Sequence, residues 1–210
     1  MKPSLIHDVT GILLAGGKSR RMGRDKRLLA VGADSLYARS LAALRAVFHR
    51  VLVVVAQDSP AIETDATVLR DLIPGCGSLG GLYTGLKKAD TEWVFAVACD
   101  MPFLDSETIK HFIVLKDHGD IVMAKLEQGL QPMHALYHRN CLPVMERLLD
   151  AKELKIHKLA DDPSLHVRLV LPEELYLLDP EARAFYNVNT PDDLEAARLL
   201  HDKDVKPPKA

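Results

Sequence analysis

Gly11-Ile12-Leu13-Leu14-Ala15-Gly16-Gly17-Lys18-Ser19-Arg20-Arg21-Met22-Gly23-Arg24-Asp25-Lys26 is the stretch that decides how this chain folds. A short apolar run empties into a glycine pair, then a basic loop, then a lysine. The run and the residues just before it, Val9–Leu14, read as a buried first strand. Glycine carries no Cβ, so the backbone at Gly16 and Gly17 can approach a ligand closely. Consecutive backbone N–H groups in such a loop form a concave anion site. Arg20, Arg21, Arg24 and Lys26 add positive charge beside it. The combination suits a nucleotide triphosphate; the plain alternative is a surface turn with a solvated basic face.

Working outward, strand and helix signals alternate. Ser35–Val47 has helical periodicity, with Leu36, Leu41, Ala43, Leu44 and Val47 apolar. Arg50–Ala56 is β-branched and apolar, as in an internal parallel strand. Thr67–Leu69 predicts a short strand ending at Asp71, and Leu79–Lys88 a helix. Trp93–Ala98 predicts another buried strand, ending at Asp100, and Asp105–Lys116 a helix capped by Asp105. Alternation of this kind predicts an α/β fold, a doubly wound and mostly parallel sheet with helices on both faces. Ligands of such sheets bind outside the carboxyl ends of the strands. The loop after Leu14, Asp71 and Asp100 all fall at such ends.

The second half is less regular. Asp120–Ala124 and His134–Tyr137 predict strands around a turn at Glu127-Gln128-Gly129. Cys141–Leu149 and Ile156–Ala160 predict helices, Val167–Leu171 a strand, and Phe185–Val188 a short strand leading into a helix at Pro191–His201. Residues 1–201 read as a single domain and 202–210 as a disordered tail.

Two motif matches fail on inspection. Gly17-Lys18-Ser19 resembles the end of a Walker A loop, but that loop needs its first glycine where Ile12 stands. Gly75-Cys76-Gly77-Ser78-Leu79-Gly80 is a literal G-x-G-x-x-G, but Leu72-Ile73-Pro74 gives it no clear strand, and the first strand already carries a different glycine loop. A ligand-touching loop remains the reading there, with Gly77, Gly80 and Gly81 letting the backbone approach base or ribose.

The 210 residues, 48% hydrophobic and 27% charged, suit one soluble globular domain with a sizeable core. A net charge of −2 gives no bulk support for nucleic-acid binding. No stretch is apolar for long enough to span a membrane, and the N-terminus has no secretory h-region. The 3 cysteines, Cys76, Cys99 and Cys141, form no zinc or redox pattern, which points to a reducing cytoplasm.

Asp100 is the first choice for a metal ligand, since Mg²⁺ needs few protein carboxylates when phosphates and waters complete its shell; capping of the next turn is the plain alternative. Lys26 is the electrostatic partner of the phosphates, against a solvated helix-start lysine. Arg20 and Arg21 can clamp the same phosphates bidentately. Gln131-Pro132-Met133-His134 reads as lining for a second-substrate pocket, or as scaffold. Thr190-Pro191-Asp192-Asp193 reads as a helix start: cap, proline at the first helical position, acidic first turn.

Leu14-Ala15-Gly16-Gly17, Arg21-Met22-Gly23 and Asp25-Lys26 resemble the opening motif of the molybdenum cofactor guanylyltransferases. Pro74–Leu82 resembles that family's second loop, and Cys99-Asp100-Met101-Pro102-Phe103 its metal-binding segment. Gln131–Tyr137 and Asn187-Val188-Asn189-Thr190-Pro191 complete the order, so the likeness runs from about Thr10 to about Leu200. The resemblance implies a nucleotidyltransferase fold and Mg²⁺-dependent transfer of GMP from GTP to molybdopterin. It implies nucleotide contacts at Leu14, Ala15, Gly16, Gly17, Lys26, Asp71, Gly77, Gly80, Gly81 and Asn189, catalysis by Lys26, Asp100 and Arg21, and metal at Asp100. Asn189 stays open between site and scaffold.

A molybdenum-insertion enzyme, a small GTPase and apo-molybdoenzymes are the implied protein partners. Cytidylyl transfer to the same pterin, another nucleotidyl transfer, and a non-catalytic carrier are the alternatives. Three positions depart from the family: Arg27 replaces a small residue, Ser78 replaces a proline, and Ala56 stands where some members place an asparagine.

Overall fold

The computed structural model describes residues 4–16 and 25–205. Strand β1 (Val9–Leu14) is buried along its whole length. A 3₁₀ turn at Lys26–Leu28 precedes a hairpin of β2 (Ala30–Val31) and β3 (Asp34–Ser35). Helix α1 (Leu36–Val47) follows, with the Ser35 hydroxyl accepting from the Ala38 N–H at its N-terminus. Then come β4 (Val51–Val55), β5 (Thr67–Arg70), α2 (Gly77–Lys88), β6 (Trp93–Ala98) and α3 (Ser106–Val114). The second half holds β7 (Ile121–Leu126), β8 (Gly129–His138), α4 (Leu142–Asp150), β9 (Val167–Val170), α5 (Pro172–Leu175) and α6 (Pro191–Val205).

The strands form a 7-stranded sheet in the order β5-β4-β1-β6-β8-β7-β9. β5, β4, β1 and β6 are parallel neighbours, β8 runs antiparallel to β6 and β7, and β9 returns parallel to β7. The mostly parallel α/β sheet expected from the alternation is therefore present. Each face carries its own core, because strand side chains alternate with period two. Leu13, Val53 and Phe95 face Leu44 of α1 and Phe112 of α3. Ile12, Leu52 and Ala96 face Leu82 of α2 and Met145 of α4. A third cluster, Val31, Leu36, Val188, Leu194 and Ala197, fastens α6 onto the β2–β3 hairpin.

The parallel half places its carboxyl ends side by side. The Ala15 N–H donates to the Val54 carbonyl at 2.8 Å, the Asp71 N–H to Val55 at 2.9 Å, and the Cys99 N–H to Leu14 at 3.1 Å. These bonds carry the sheet ladder one residue past the strands, so the segments at Ala15, Asp71 and Cys99 leave from one edge.

Two expectations fail in the second half. Phe185–Val188 is not a strand: a 3₁₀ turn occupies Arg183–Phe185. The Asp179 carboxylate accepts the Arg183 and Ala184 N–H groups, each at 2.8 Å, so those donors close a turn and cannot join a ladder. The expected tail also begins too early. α6 continues to Val205, and Asp204 is held by the Arg183 guanidinium at 2.9 Å. Residues 206–210 lie outside the described residues.

Candidate nucleotide and metal site

Lys26, Asp100 and Asn189 meet at this edge. Lys26 Nζ donates to Asp100 Oδ2 at 3.0 Å and to Asn189 Oδ1 at 2.9 Å. The Lys26 and Asp100 side chains are 17% and 19% exposed, which leaves a ligand some access. Asp100 is positioned by β6, which it follows by two residues. Asn189 is positioned from both sides. The Val188 N–H donates to the Asp100 carbonyl at 2.9 Å. The Asp193 carboxylate accepts the Asn189 and Thr190 N–H groups, each at 2.8 Å, and the Thr190 hydroxyl accepts the Asp193 N–H at 3.1 Å. That reciprocal pair is a capping box, so the start of α6 doubles as the mount for Asn189. Those backbone donors, with Lys26 adding to them, hold the Asp193 carboxyl below its usual range.

Asn187 and Asn189 do not share a face, because no strand forms. Asn187 Nδ2 turns back to the Phe185 carbonyl at 2.9 Å, while Asn189 reaches Lys26.

Asp71 is a different kind of carboxylate. It is 9% exposed, and burial alone pushes it up to about 6. Among the described residues no donor reaches its oxygens. Its backbone is held between the Val55 carbonyl and Leu72, whose N–H donates to the Thr84 hydroxyl of α2 at 2.9 Å. Asp71 and Asp100 follow β5 and β6, three strand spacings apart in the sheet order, or roughly 14 Å. A ligand crossing the edge between them passes over the end of β1.

The glycines divide by role. Gly16 is exposed, and a Cβ there would sit 2.6 Å from the Ala56 backbone nitrogen, so only glycine fits against the end of β4. Gly77 is exposed and takes φ +57. Gly80 and Gly81 stand inside α2, as the helix expected from Leu79 requires, but they do not open the backbone to base or ribose. A Cβ on Gly80 would meet Cys76 Cβ at 2.8 Å, and one on Gly81 would meet Leu14 Cδ2 at 3.2 Å. Both serve close packing of the helix, because both are buried against protein. Leu14 and Ala15 are buried too, and the Leu14 carbonyl and Ala15 N–H are engaged in the sheet. Gly17, Arg20, Arg21 and Arg24 lie outside the described residues.

His134 is not pocket lining. It is fully buried among Phe95, Phe112 and Phe185, with the Phe185 ring centroid 4.5 Å away. Burial pushes it down to about 4, so the ring is neutral near pH 7. Gln131 Nε2 folds back to the Gly129 carbonyl at 3.1 Å, and the Tyr137 hydroxyl donates to the Pro132 carbonyl at 2.7 Å. Cys99 is buried and pushed up to about 12, which leaves a thiol with no nucleophilic character at neutral pH. The Ala56 carbonyl accepts the Ser59 N–H at 3.0 Å and Arg70 Nη1 at 3.4 Å, so it is a poor replacement for an asparagine at a base. A cavity of about 1120 Å³ opens between α1 and residues 60–65, beside Asp25 and Arg27, but Lys26, Asp100 and Asn189 do not line it. No helix among the described residues is long and apolar enough to cross a membrane.

Asp193 stands in the acidic first turn expected at the start of α6, and the structure adds that it also holds the Asn189 backbone in place.

Known proteins resemble this chain in sequence and in fold. Residues 11–164 match the family model described as a MobA-like NTP transferase domain. A probable molybdenum cofactor guanylyltransferase of Pelotomaculum thermopropionicum is 36% identical, with 91% of this chain and 92% of that protein covered. A molybdenum cofactor guanylyltransferase of Desulfosudis oleivorans is 35% identical over 90% of this chain and 94% of its own length. The crystal structure of molybdopterin-guanine dinucleotide biosynthesis protein A from Archaeoglobus fulgidus superposes with a TM-score of 0.82 at 26% identity, covering 92% of this chain and 99% of that one.

Proposed function

Because the chain belongs to the MobA-like NTP transferase family and its relatives are named molybdenum cofactor guanylyltransferases, we propose that it transfers GMP from GTP to molybdenum-loaded molybdopterin. The observation that carries this reading is the split edge: a lysine donating to two oxygens at one end and, at the other, a buried carboxylate with no donor among the described residues.

GTP would lie across that edge, its phosphates near Lys26 and its base near Asp71. The Asp71 carboxylate, once ionised, accepts from the N1–H and N2–H₂ donors of guanine, which supply partners that the described residues do not. A phosphate oxygen of the pterin attacks the α-phosphorus, the bond to the bridging oxygen breaks, and pyrophosphate leaves with that electron pair. The nucleophile is already an oxyanion, so no side chain has to remove a proton. Lys26 stabilises the charge that gathers on the leaving pyrophosphate, and the sheet edge holds the two substrates in line.

Mg²⁺ fits the donor set. Asp100 and Asn189 already direct carboxylate and amide oxygens at one cation, the Lys26 ammonium, and hard divalent cations favour such oxygens. These two residues would hold the metal, which supplies Lewis-acid neutralisation of phosphate charge. The 3 cysteines are all free, in keeping with a reducing cytoplasm. Arg21 would join the phosphate contacts from the basic loop. A molybdenum-insertion enzyme, a small GTPase and apo-molybdoenzymes would be its protein partners.

The test is pyrophosphate release from GTP, CTP, ATP and UTP in parallel, with molybdenum-loaded molybdopterin and Mg²⁺. GTP-selective release is expected. Release from CTP instead would place the chain among cytidylyl transferases, and tight cofactor binding with no release would make it a carrier.

A further inference from the structure

Arg27 is an oddity of this chain: a guanidinium whose side chain is 10% exposed, one residue after Lys26. Its Nε donates to both oxygens of Asp25 at 2.9 Å, and its Nη2 donates to Oδ2. The Arg27 backbone N–H donates to Asp25 Oδ1 at 3.0 Å, so one carboxylate caps the 3₁₀ turn and grips the arginine together. The turn is closed further by Leu28 N–H to the Asp25 carbonyl and Leu29 N–H to the Lys26 carbonyl, each at 3.1 Å. Leu36 N–H then ties the Leu29 carbonyl to the start of α1 at 2.7 Å.

Successive side chains of a 3₁₀ turn diverge by about 120°. Lys26 points at Asp100 and Asn189, Leu28 is 78% exposed, and Arg27 is buried with Cys99 and Tyr37 near its charge. The inward arginine is therefore the fastening of a turn whose neighbouring residue carries the phosphate-side cation. A lysine has a flexible four-carbon stem, so the ammonium is placed only as well as its backbone is held. Held in this way, Lys26 needs no further ordering when substrate binds.

We propose that Arg27, through its clamp on Asp25, is a positioning residue that aims Lys26 at the reacting phosphates. The proposal rests on the reading of Lys26 given above and adds a residue that would act through Lys26.

The experiment compares GTP-dependent pyrophosphate release in wild type, Lys26→Ala, Arg27→Ala, Arg27→Lys and the Lys26→Ala/Arg27→Ala double variant, with thermal melts of each. Arg27→Ala should lower kcat about 10- to 100-fold, as a loss of orientation does, with KM for GTP within about twofold. Arg27→Lys keeps the charge but not the fork, so it should lie between the two. On the Lys26→Ala background, Arg27→Ala should add less than about twofold, because what it positions is gone. A full, multiplicative loss on that background would make Arg27 a general structural residue and overturn the proposal. So would wild-type kcat in both Arg27 variants while Lys26→Ala is impaired. Wild-type turnover in Lys26→Ala would instead sink the reading of the site itself, and the proposal with it. Should Arg27→Ala not fold, Arg27→Lys in the two backgrounds carries the same comparison.

Discussion

The two ends of the site are built on opposite electrostatic plans. At the Asp100 end every charge described has met its counterpart: Lys26 bridges Asp100 and Asn189, and Asp193 is satisfied by backbone donors. At the Asp71 end a buried carboxylate has no donor among the described residues and rises to about 6. Desolvation without compensation is unfavourable, whereas a preformed cluster has met that cost within the fold. The difference separates the tasks. On the proposed reading, one end is preorganised for chemistry on any nucleotide, and the other waits for a base with the right donors.

The largest effect that would test this division is Asp100→Ala. It should reduce pyrophosphate release by more than about 10³-fold while GTP binding weakens far less. Near-native turnover would mean that the paired end is only a structural salt bridge. Lys26→Ala should cost about 10²–10³-fold in kcat, the range for a lost donor to developing charge. Equal effects on KM and kcat/KM, with kcat intact, would turn Lys26 into a ground-state contact.

Asp71→Asn sharpens the other half. Losing a charge-assisted acceptor for guanine should raise KM for GTP by about 10- to 100-fold and narrow the preference for GTP over CTP, with a smaller change in kcat. The same carboxylate makes a pH prediction. Its folded value of about 6 exceeds the ordinary 3.8, so the unfolded chain gives up its proton first as pH rises. Stability therefore falls between about 3.8 and about 6 and levels off above, while GTP affinity rises through the same window as the acceptor ionises. Asp71→Asn should flatten both curves. An unchanged GTP pH profile would remove Asp71 from base recognition.

The smallest effect on activity is expected at His134. Its folded value of about 4 lies below the ordinary 6.5, so its contribution has the opposite sign: stability is lost as pH falls from about 6.5 to about 4. His134→Phe fills the same aromatic surroundings without a ring to protonate. It should raise the melting temperature at pH 5 relative to pH 8 and leave turnover near wild type. A drop in turnover at constant stability would return Gln131–His134 to the substrate pocket.

The paired end was legible in advance only in part. Lys26 and Asp100 each follow a strong local signal, a glycine loop and a buried strand. Asp71 was legible as a strand-end acid, but not as a buried one, since burial depends on α2 lying over it. His134 sits in a segment whose alternation says strand, and alternation alone does not say which layer covers a face. Phe185 and Phe112 come from elsewhere in the chain to enclose it. Gly80 and Gly81 fall inside the helix expected from Leu79, but spacing does not show that each is buried against protein rather than open to a ligand.

By itself, the sequence determined the parallel half of the sheet and the edge on which the candidate site residues gather. Those follow from short-range patterning: apolar runs that can only be buried strands, amphipathic helices between them, and chemistry-bearing residues at the points where the runs stop. Tertiary structure alone decided that Asn189 reaches Lys26 across 163 residues, that Arg27 turns inward, and that Asp71 has no donor among the described residues. Each of these depends on how α6, α1 and α2 pack onto the edge, and long-range packing is settled by the whole core rather than by the residues beside each position.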